Sequence, residues 1–219
     1  MTAPTYVVLL GKQGAGKGTQ SELLCARHGL VHLSTGDILR AAVRAGSDLG
    51  RELSRVLEAG ALVSDELVNR LVEERLAAPD AAAGAVFDGY PRTRGQAEAL
   101  DEILAPDAIG LCVLVELPDE LVVARLSARR VCEGCGTTYT ATDPSALSGV
   151  CERCGGRVVQ RVDDTPEAIG ARLAAYERDT RPLIDFYDAR GLLATVDGDR
   201  PVAEVQASIE AALVARGLA

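Results

Sequence analysis

At 219 residues, with 25% charged residues, 47% hydrophobic residues and no tryptophan, the chain can bury a substantial core and is near the upper range for one domain. A net charge of −9 excludes a general nucleic-acid surface, so arginines gathered around an anion must be a local arrangement. No apolar run approaches the roughly 20 residues of a membrane span and the N-terminus lacks a basic, then apolar, signal, so a cytoplasmic setting is expected.

The first predicted element is an apolar strand over 6–10, followed by G-K-Q-G-A-G-K-G-T from Gly11 to Thr19 and a helix that starts near Lys17. Gly11, Gly14 and Gly16 allow backbone conformations closed to residues with a Cβ, so successive N–H groups can point into one concavity at the positive end of a helix. Lys17 adds a full charge, which in such phosphate loops reaches the β- and γ-phosphates. Only Lys12 and Lys17 are lysines among 23 basic residues. A chain that otherwise chooses arginine keeps a compact ammonium where a planar fork would fit a phosphate pocket less well.

A short strand over 30–33 follows, and then Ser34-Thr35-Gly36-Asp37 offers capping residues to a helix. Three amphipathic stretches, about 37–45, 48–58 and 65–77, come without a strand between them, which marks an insertion in the alternating pattern. The strand 85–88 ends in Asp88, the usual place in a phosphate-loop protein for a carboxylate that holds magnesium directly or through water. A helix over about 94–104 leads to the most apolar strand, 109–117. Pro118 then opens a helix to about Arg130, with Arg125, Arg129 and Arg130 at its end. Favourable charge at a helix C-terminus would by itself account for that trio.

From Cys132 the periodicity breaks. Cys132-x-x-Cys135 and Cys151-x-x-Cys154 flank fifteen residues rich in Gly, Thr, Ser and Asp. Two such knuckles present four thiolates to a structural zinc, whereas a pair of disulfides is the alternative in an oxidising compartment. The stretch has too little apolar material for a core of its own, so metal binding would supply much of its folding energy. Cys25 and Cys112 lack partners at ligand spacing and read as core thiols. Thr165-Pro166 caps a long helix reaching about Ala189, and a last strand over 192–196 and an amphipathic helix complete the chain. Alternating strands and helices imply an α/β fold with a parallel sheet covered on both faces and a ligand at the strands' carboxyl ends.

Three ordered strings resemble the adenylate kinase family: the loop with Gly18 between Lys17 and the hydroxyl of Thr19, S-T-G-D-I-L-R from Ser34 to Arg40, and D-G-Y-P-R-T-R-G-Q from Asp88 to Gln96. The resemblance runs from Leu9 to Pro201. It implies one P-loop kinase domain over 1–219, with a central parallel five-stranded sheet flanked by helices. It also implies a helical insertion binding a nucleoside monophosphate over 34–63 and a zinc-binding lid over 129–165. The implied activity is reversible phosphoryl transfer from magnesium ATP to AMP, giving two ADP, by a monomer with no nucleic-acid or membrane partner. By position, Lys17, Arg92, Arg125, Arg129, Arg161 and Arg172 would surround the phosphates, and Asp88 would orient the waters of Mg2+. ATP would meet Gly14, Ala15, Gly16, Lys17, Gly18, Thr19, Arg125, Thr138, Tyr139 and Arg200. AMP would meet Thr35, Arg40, Ala61, Leu62, Val63, Gly89, Tyr90, Pro91, Arg92 and Gln96, together with Arg161 and Arg172. Zn2+ would take Cys132, Cys135, Cys151 and Cys154. The chain departs from the family pattern at Gln13 for Pro, Tyr90 for Phe, Thr140 for His and Gly170 for Arg. Two other readings stay open on sequence alone: another base preference, such as GTP as donor, and a zinc module that responds to ATP without turnover.

Overall fold

Five apolar runs become the parallel strands of one sheet in the computed structural model, which describes residues 4–44, 53 and 63–219. These strands are β1 (Thr5–Leu10), β2 (Val31–Ser34), β3 (Gly84–Asp88), β4 (Leu111–Glu116) and β8 (Leu193–Asp197), in the order β2-β3-β1-β4-β8. Both faces are covered, which is why Val7, Val8, Leu9 and Leu10 are all at most 2% exposed and the strand reads as continuously apolar rather than alternating. Chain order reverses direction across β1, so the crevice at its carboxyl end, between β3 and β4, is where a ligand is expected in such a sheet.

One face packs Val7, Leu9, Val86 and Val113 against α1 (Lys17–His28), α5 (Asp119–Ala128), α7 (Pro166–Ala175) and α9 (Val202–Ala215). The other packs Val8, Leu10, Phe87 and Leu114 against α3 (Asp65–Leu76), α4 (Arg94–Leu104) and α8 (Pro182–Asp188). The first of the three consecutive helices is α2 (Thr35–Arg44) and the third is α3; the second, 48–58, lies outside the described residues apart from buried Leu53.

Two helices differ from the periodicity. α5 ends at Ala128 rather than Arg130, because Arg129 is already extended (ψ 138) and opens β5 (Arg129–Cys132). β5 is the middle of a second, antiparallel sheet with β6 (Thr138–Thr140) and β7 (Val158–Val159), to which a short helix, α6 (Pro144–Ser148), is added. The long helix expected to reach Ala189 is interrupted after Ala175. Pro182 has no N–H and crowds the carbonyl four residues back, so the turn over Tyr176–Thr180 widens and Arg181 donates to Tyr176 O five residues earlier, at 2.8 Å.

Strands β1 and β3 approach closely where β3 begins. Gly84 has φ +113, and a Cβ there would lie 2.0 Å from Thr5 O. Gly84→Ala is expected to lose about 2–4 kcal/mol of stability from overlap and backbone strain together. Urea denaturation measures this, and an unchanged midpoint would show that the strands can part at no cost.

Candidate active site

The β1–α1 turn leaves a helix N-terminus open to an anion. Gly16 is in the left-handed region (φ 98), no side chain caps α1, and its first turn holds no acidic residue. Gly11 presses against β4, since a Cβ there would stand 2.4 Å from Val115 O. Lys17 lies along the rim of the loop, donating from Nζ to Gly11 O at 2.7 Å and Lys12 O at 2.9 Å. Lys12 points the other way and pairs with Asp119 and, at 3.7 Å, with Glu177.

Asp88, at the end of β3, lies in the same crevice. Burial alone would raise its pKa, but His32 and the Lys17 ammonium outweigh burial and hold it below the usual carboxylate range. His32 Nε2 stands 3.5 Å from Asp88 Oδ2, an ion-pair distance longer than a good hydrogen bond. For Lys17 the balance goes the other way: burial lowers its pKa to about 8, Asp88 resists, and Arg92, Arg172 and Arg129 add to the depression.

Three arginines reach this crevice: Arg129 from the start of β5, Arg161 from the segment that follows β7, and Arg172 from α7. Arg129 grips the fully buried Asp164 side chain with two bonds, 2.8 Å from Nε and 2.5 Å from Nη2. Arg172 Nη1 donates to Asp163 O at 2.7 Å and to Asp163 Oδ2 and Asp164 Oδ1 at 3.2 Å each. Arg161 has a buried Nε with no hydrogen-bond partner among the described residues, and burial followed by the Arg40 and Arg129 charges pushes its pKa down to about 10. Burial and neighbouring arginines likewise lower Arg92 and Arg172.

On the wall beyond Asp88, Thr35 Oγ1 and Arg92 Nε both donate to Gly89 O, at 2.8 and 2.7 Å. Gln96 is 2% exposed and belongs to the same wall, while Arg40 pairs with Asp37 at 2.6 Å. These groups line one cavity of about 850 Å³ that runs from the phosphate loop to α2, and Gly14, Gly16, Gly18, Thr19, Val63, Pro91, Arg125, Thr138 and Tyr139 also border it. Several expected residues lie elsewhere. Arg200 is exposed and pairs with Asp197 and Glu204, and Ala15 is in the core. The Tyr90 ring is fully buried, with its hydroxyl on Asn69 and Gln96 O, and Ala61 and Leu62 lie outside the described residues. Sequence reading missed His32, Asp65, Asp163 and Asp164. Only the doubled aspartate was a signal there, since two adjacent carboxylates beside arginine-rich segments invite pairing.

In the lid, Cys132, Cys135, Cys151 and Cys154 place their sulfurs within 4.8 Å of one another, all as free thiols. Cys132 to Cys154 is 3.4 Å and Cys135 to Cys151 is 3.6 Å, near the edge of about 3.8 Å for a thiolate tetrahedron around zinc. Hydrogen bonding to Thr137 draws the Cys135 thiol down to about 6, toward the form that binds metal. The donor set therefore fits a closed, four-coordinate site.

An open helix N-terminus fed by a glycine loop, a strand-end carboxylate and converging cations on a doubly covered parallel sheet define a nucleotide-binding P-loop fold. The chain belongs to the adenylate kinase family: the family model described as Adenylate kinase matches residues 9–192. It is 46% identical over 211 residues to the adenylate kinase of Symbiobacterium thermophilum, covering 95% of this chain and 98% of that one. With the adenylate kinase of Carboxydothermus hydrogenoformans it shares 46% over 210 residues, 94% of this chain and 98% of the relative. Against that of an Anaeromyxobacter species the identity is 47% over 195 residues, 88% and 91% of the two chains.

The depressed Lys17 gives binding a pH signature. A polyphosphate favours the charged amine, so below about pH 8 the proton is already present, whereas above it the free protein must take one up on binding. ATP affinity should weaken as pH rises through 8. Calorimetry in buffers of different ionisation heat should show proton uptake growing from pH 7.5 to 9.5, and should show none in Lys17→Met.

Proposed function

We infer that the chain transfers the terminal phosphoryl group of magnesium ATP reversibly to AMP, giving two ADP. The observation that carries this reading is the convergence of Lys17, Arg92, Arg129, Arg161 and Arg172 on a single cavity bordered at one end by the phosphate loop and at the other by Thr35 and Gln96. One bound nucleotide would need fewer cations, and mutual repulsion among these is relieved when two sets of phosphates meet between them.

Phosphoryl transfer needs little covalent help from a protein and much positioning and charge neutralisation. On this reading the α1 N-terminus and Lys17 hold the donor phosphates, Arg92 and Arg40 hold the acceptor phosphate, and Arg129, Arg161 and Arg172 span the transferred group. Bound magnesium would supply charge neutralisation on the donor phosphates. Asp88 suits that hard cation because it is an ionised oxygen donor in the crevice, beside Lys17. Gln96 reads the acceptor base, and the backbone near Thr138 and Tyr139 with Arg125 lies toward the donor base. The lid over 129–165 acts as a cover of the cavity, and closing it excludes water that would otherwise hydrolyse ATP, while the insertion over 34–63 belongs to the acceptor nucleotide.

Zinc is the metal that the four lid thiols suit, and it would supply folding energy to a segment whose own core is Cys132, Tyr139, Cys151 and Val158. Four free thiols in turn suit a reducing compartment such as the cytoplasm.

A coupled assay for ADP formed from ATP and AMP tests the activity directly. Lys17→Ala should lower turnover on the order of 10²-fold or more while the protein stays folded. Wild-type protein that binds ATP but forms no ADP would reject the reading. Native mass spectrometry should find one zinc per chain, and chelation should lower the melting temperature and raise proteolysis first within 129–165; a metal-free chain with those thiols joined as disulfides would reject the zinc assignment.

A further inference from the structure

The proposed acceptor wall contains a hydrogen-bond arrangement that decides which purine it can take. A glutamine amide is ambiguous by itself, because a half-turn exchanges its acceptor and its donor at little cost in shape. At Gln96 that freedom is removed from both ends. Oε1 accepts from the main-chain N–H of Arg92 at 2.8 Å, and Nε2 donates to Asp65 Oδ1 at 2.8 Å. A peptide N–H can only donate and an ionised carboxylate can only accept, so a flipped amide would set donor against donor and acceptor against acceptor. Asp65 is itself held, since Thr93 Oγ1 donates to Asp65 Oδ2 at 2.7 Å and accepts from Gln96 N at 3.1 Å. The Tyr90 hydroxyl fixes the main chain behind the side chain, bonding Asn69 Oδ1 at 2.8 Å and Gln96 O at 3.1 Å.

Each Gln96 amide atom keeps one unused valence: a second lone pair on Oε1 and a second hydrogen on Nε2. Their order along the wall is set by the lock. Adenine offers a donating 6-amino group beside an accepting N1, which matches an acceptor followed by a donor. Hypoxanthine and guanine offer a 6-oxo acceptor beside an N1–H donor, the reverse order. We propose that Asp65 is a specificity-determining positioning residue which, with the Arg92 main-chain N–H, locks the Gln96 amide in the orientation that accepts a 6-amino purine and rejects a 6-oxo purine. Gln96 makes the contact with the base. Asp65 acts through it, from the first turn of α3 immediately after the inserted segment. This inference rests on the reading of Gln96 as the acceptor-base contact.

The test compares AMP with IMP as acceptors at fixed magnesium ATP, because IMP exchanges the 6-amino for a 6-oxo group without adding the 2-amino group of GMP. Wild-type protein should favour AMP in kcat/KM by on the order of 10²-fold, as expected when two polar pairs are mismatched in a closed site. Asp65→Asn is nearly isosteric and its amide can face either orientation of Gln96. It should narrow the AMP-to-IMP ratio about 10-fold, through a higher KM for AMP and a lower one for IMP, with kcat for AMP largely kept. Asp65→Ala should narrow it as well, and calorimetric binding of AMP and IMP provides the same ratio for a variant with weak turnover. A folded Asp65→Asn protein that keeps the wild-type ratio, even one of lower stability, would overturn the lock while leaving the adenylate kinase reading in place. Wild-type protein that uses IMP as well as AMP would overturn both the acceptor-base reading and the inference.

Discussion

Lys17, Arg92, Arg161 and Arg172 are crowded, beside Arg129, into a crevice where burial and neighbouring cations oppose the charge of all four. Much of the surrounding structure is what makes that crowding tolerable. Asp163 and Asp164 neutralise Arg129 and Arg172, Asp88 faces Lys17, and backbone carbonyls of the phosphate loop and of Gly89 take up Lys17 and Arg92. Arg161 is left with a buried Nε and no partner among the described residues. A buried cation in that condition favours an incoming anion strongly, because the desolvation cost is already met in the folded state.

The lid is joined to this charge system at its roots. Arg129 opens β5 as the chain leaves the main body, and Asp163 and Asp164 stand where it returns, so the Arg129–Asp164 pair closes the base of the inserted segment. Beyond that clasp the segment has a four-residue core and a thiol cluster. A unit so small holds few apolar contacts of its own, which suits a cover that moves as a piece about its base.

Two departures from the family pattern acquire physical content here. Where proline usually stiffens the phosphate loop the chain has Gln13, and the neighbouring Lys12 is tied by ion pairs to the start of α5 and to the wide turn before α8. That tether restrains a loop whose backbone lacks the fixed φ of proline. Tyr90 keeps the buried ring expected at its position, and its hydroxyl joins α3 to the main chain of Gln96. A sequence comparison counts that change as conservative, yet the added oxygen is a structural member of the acceptor wall.

The sequence alone determined what depends on local pattern. Continuous apolar runs foretold strands buried on both faces, the glycines and Lys17 foretold an anion cradle at a helix N-terminus, and two C-x-x-C pairs foretold a tetrahedral donor set. Thr165 announced a helix start because a capping oxygen bonds within three residues. Only the tertiary structure decided which charges meet. Arg129 finds Asp164 thirty-five residues away, Gln96 finds Asp65 thirty-one away and His32 faces Asp88 across β2 and β3, and no periodicity reports such partners. The helix expected to reach Ala189 is also interrupted, because the crowding at Pro182 is relieved by a wide turn over Tyr176–Thr180. Propensity and spacing act over a few residues, whereas the desolvation that gives a buried charge its partner and its pKa exists only once distant segments have excluded water together.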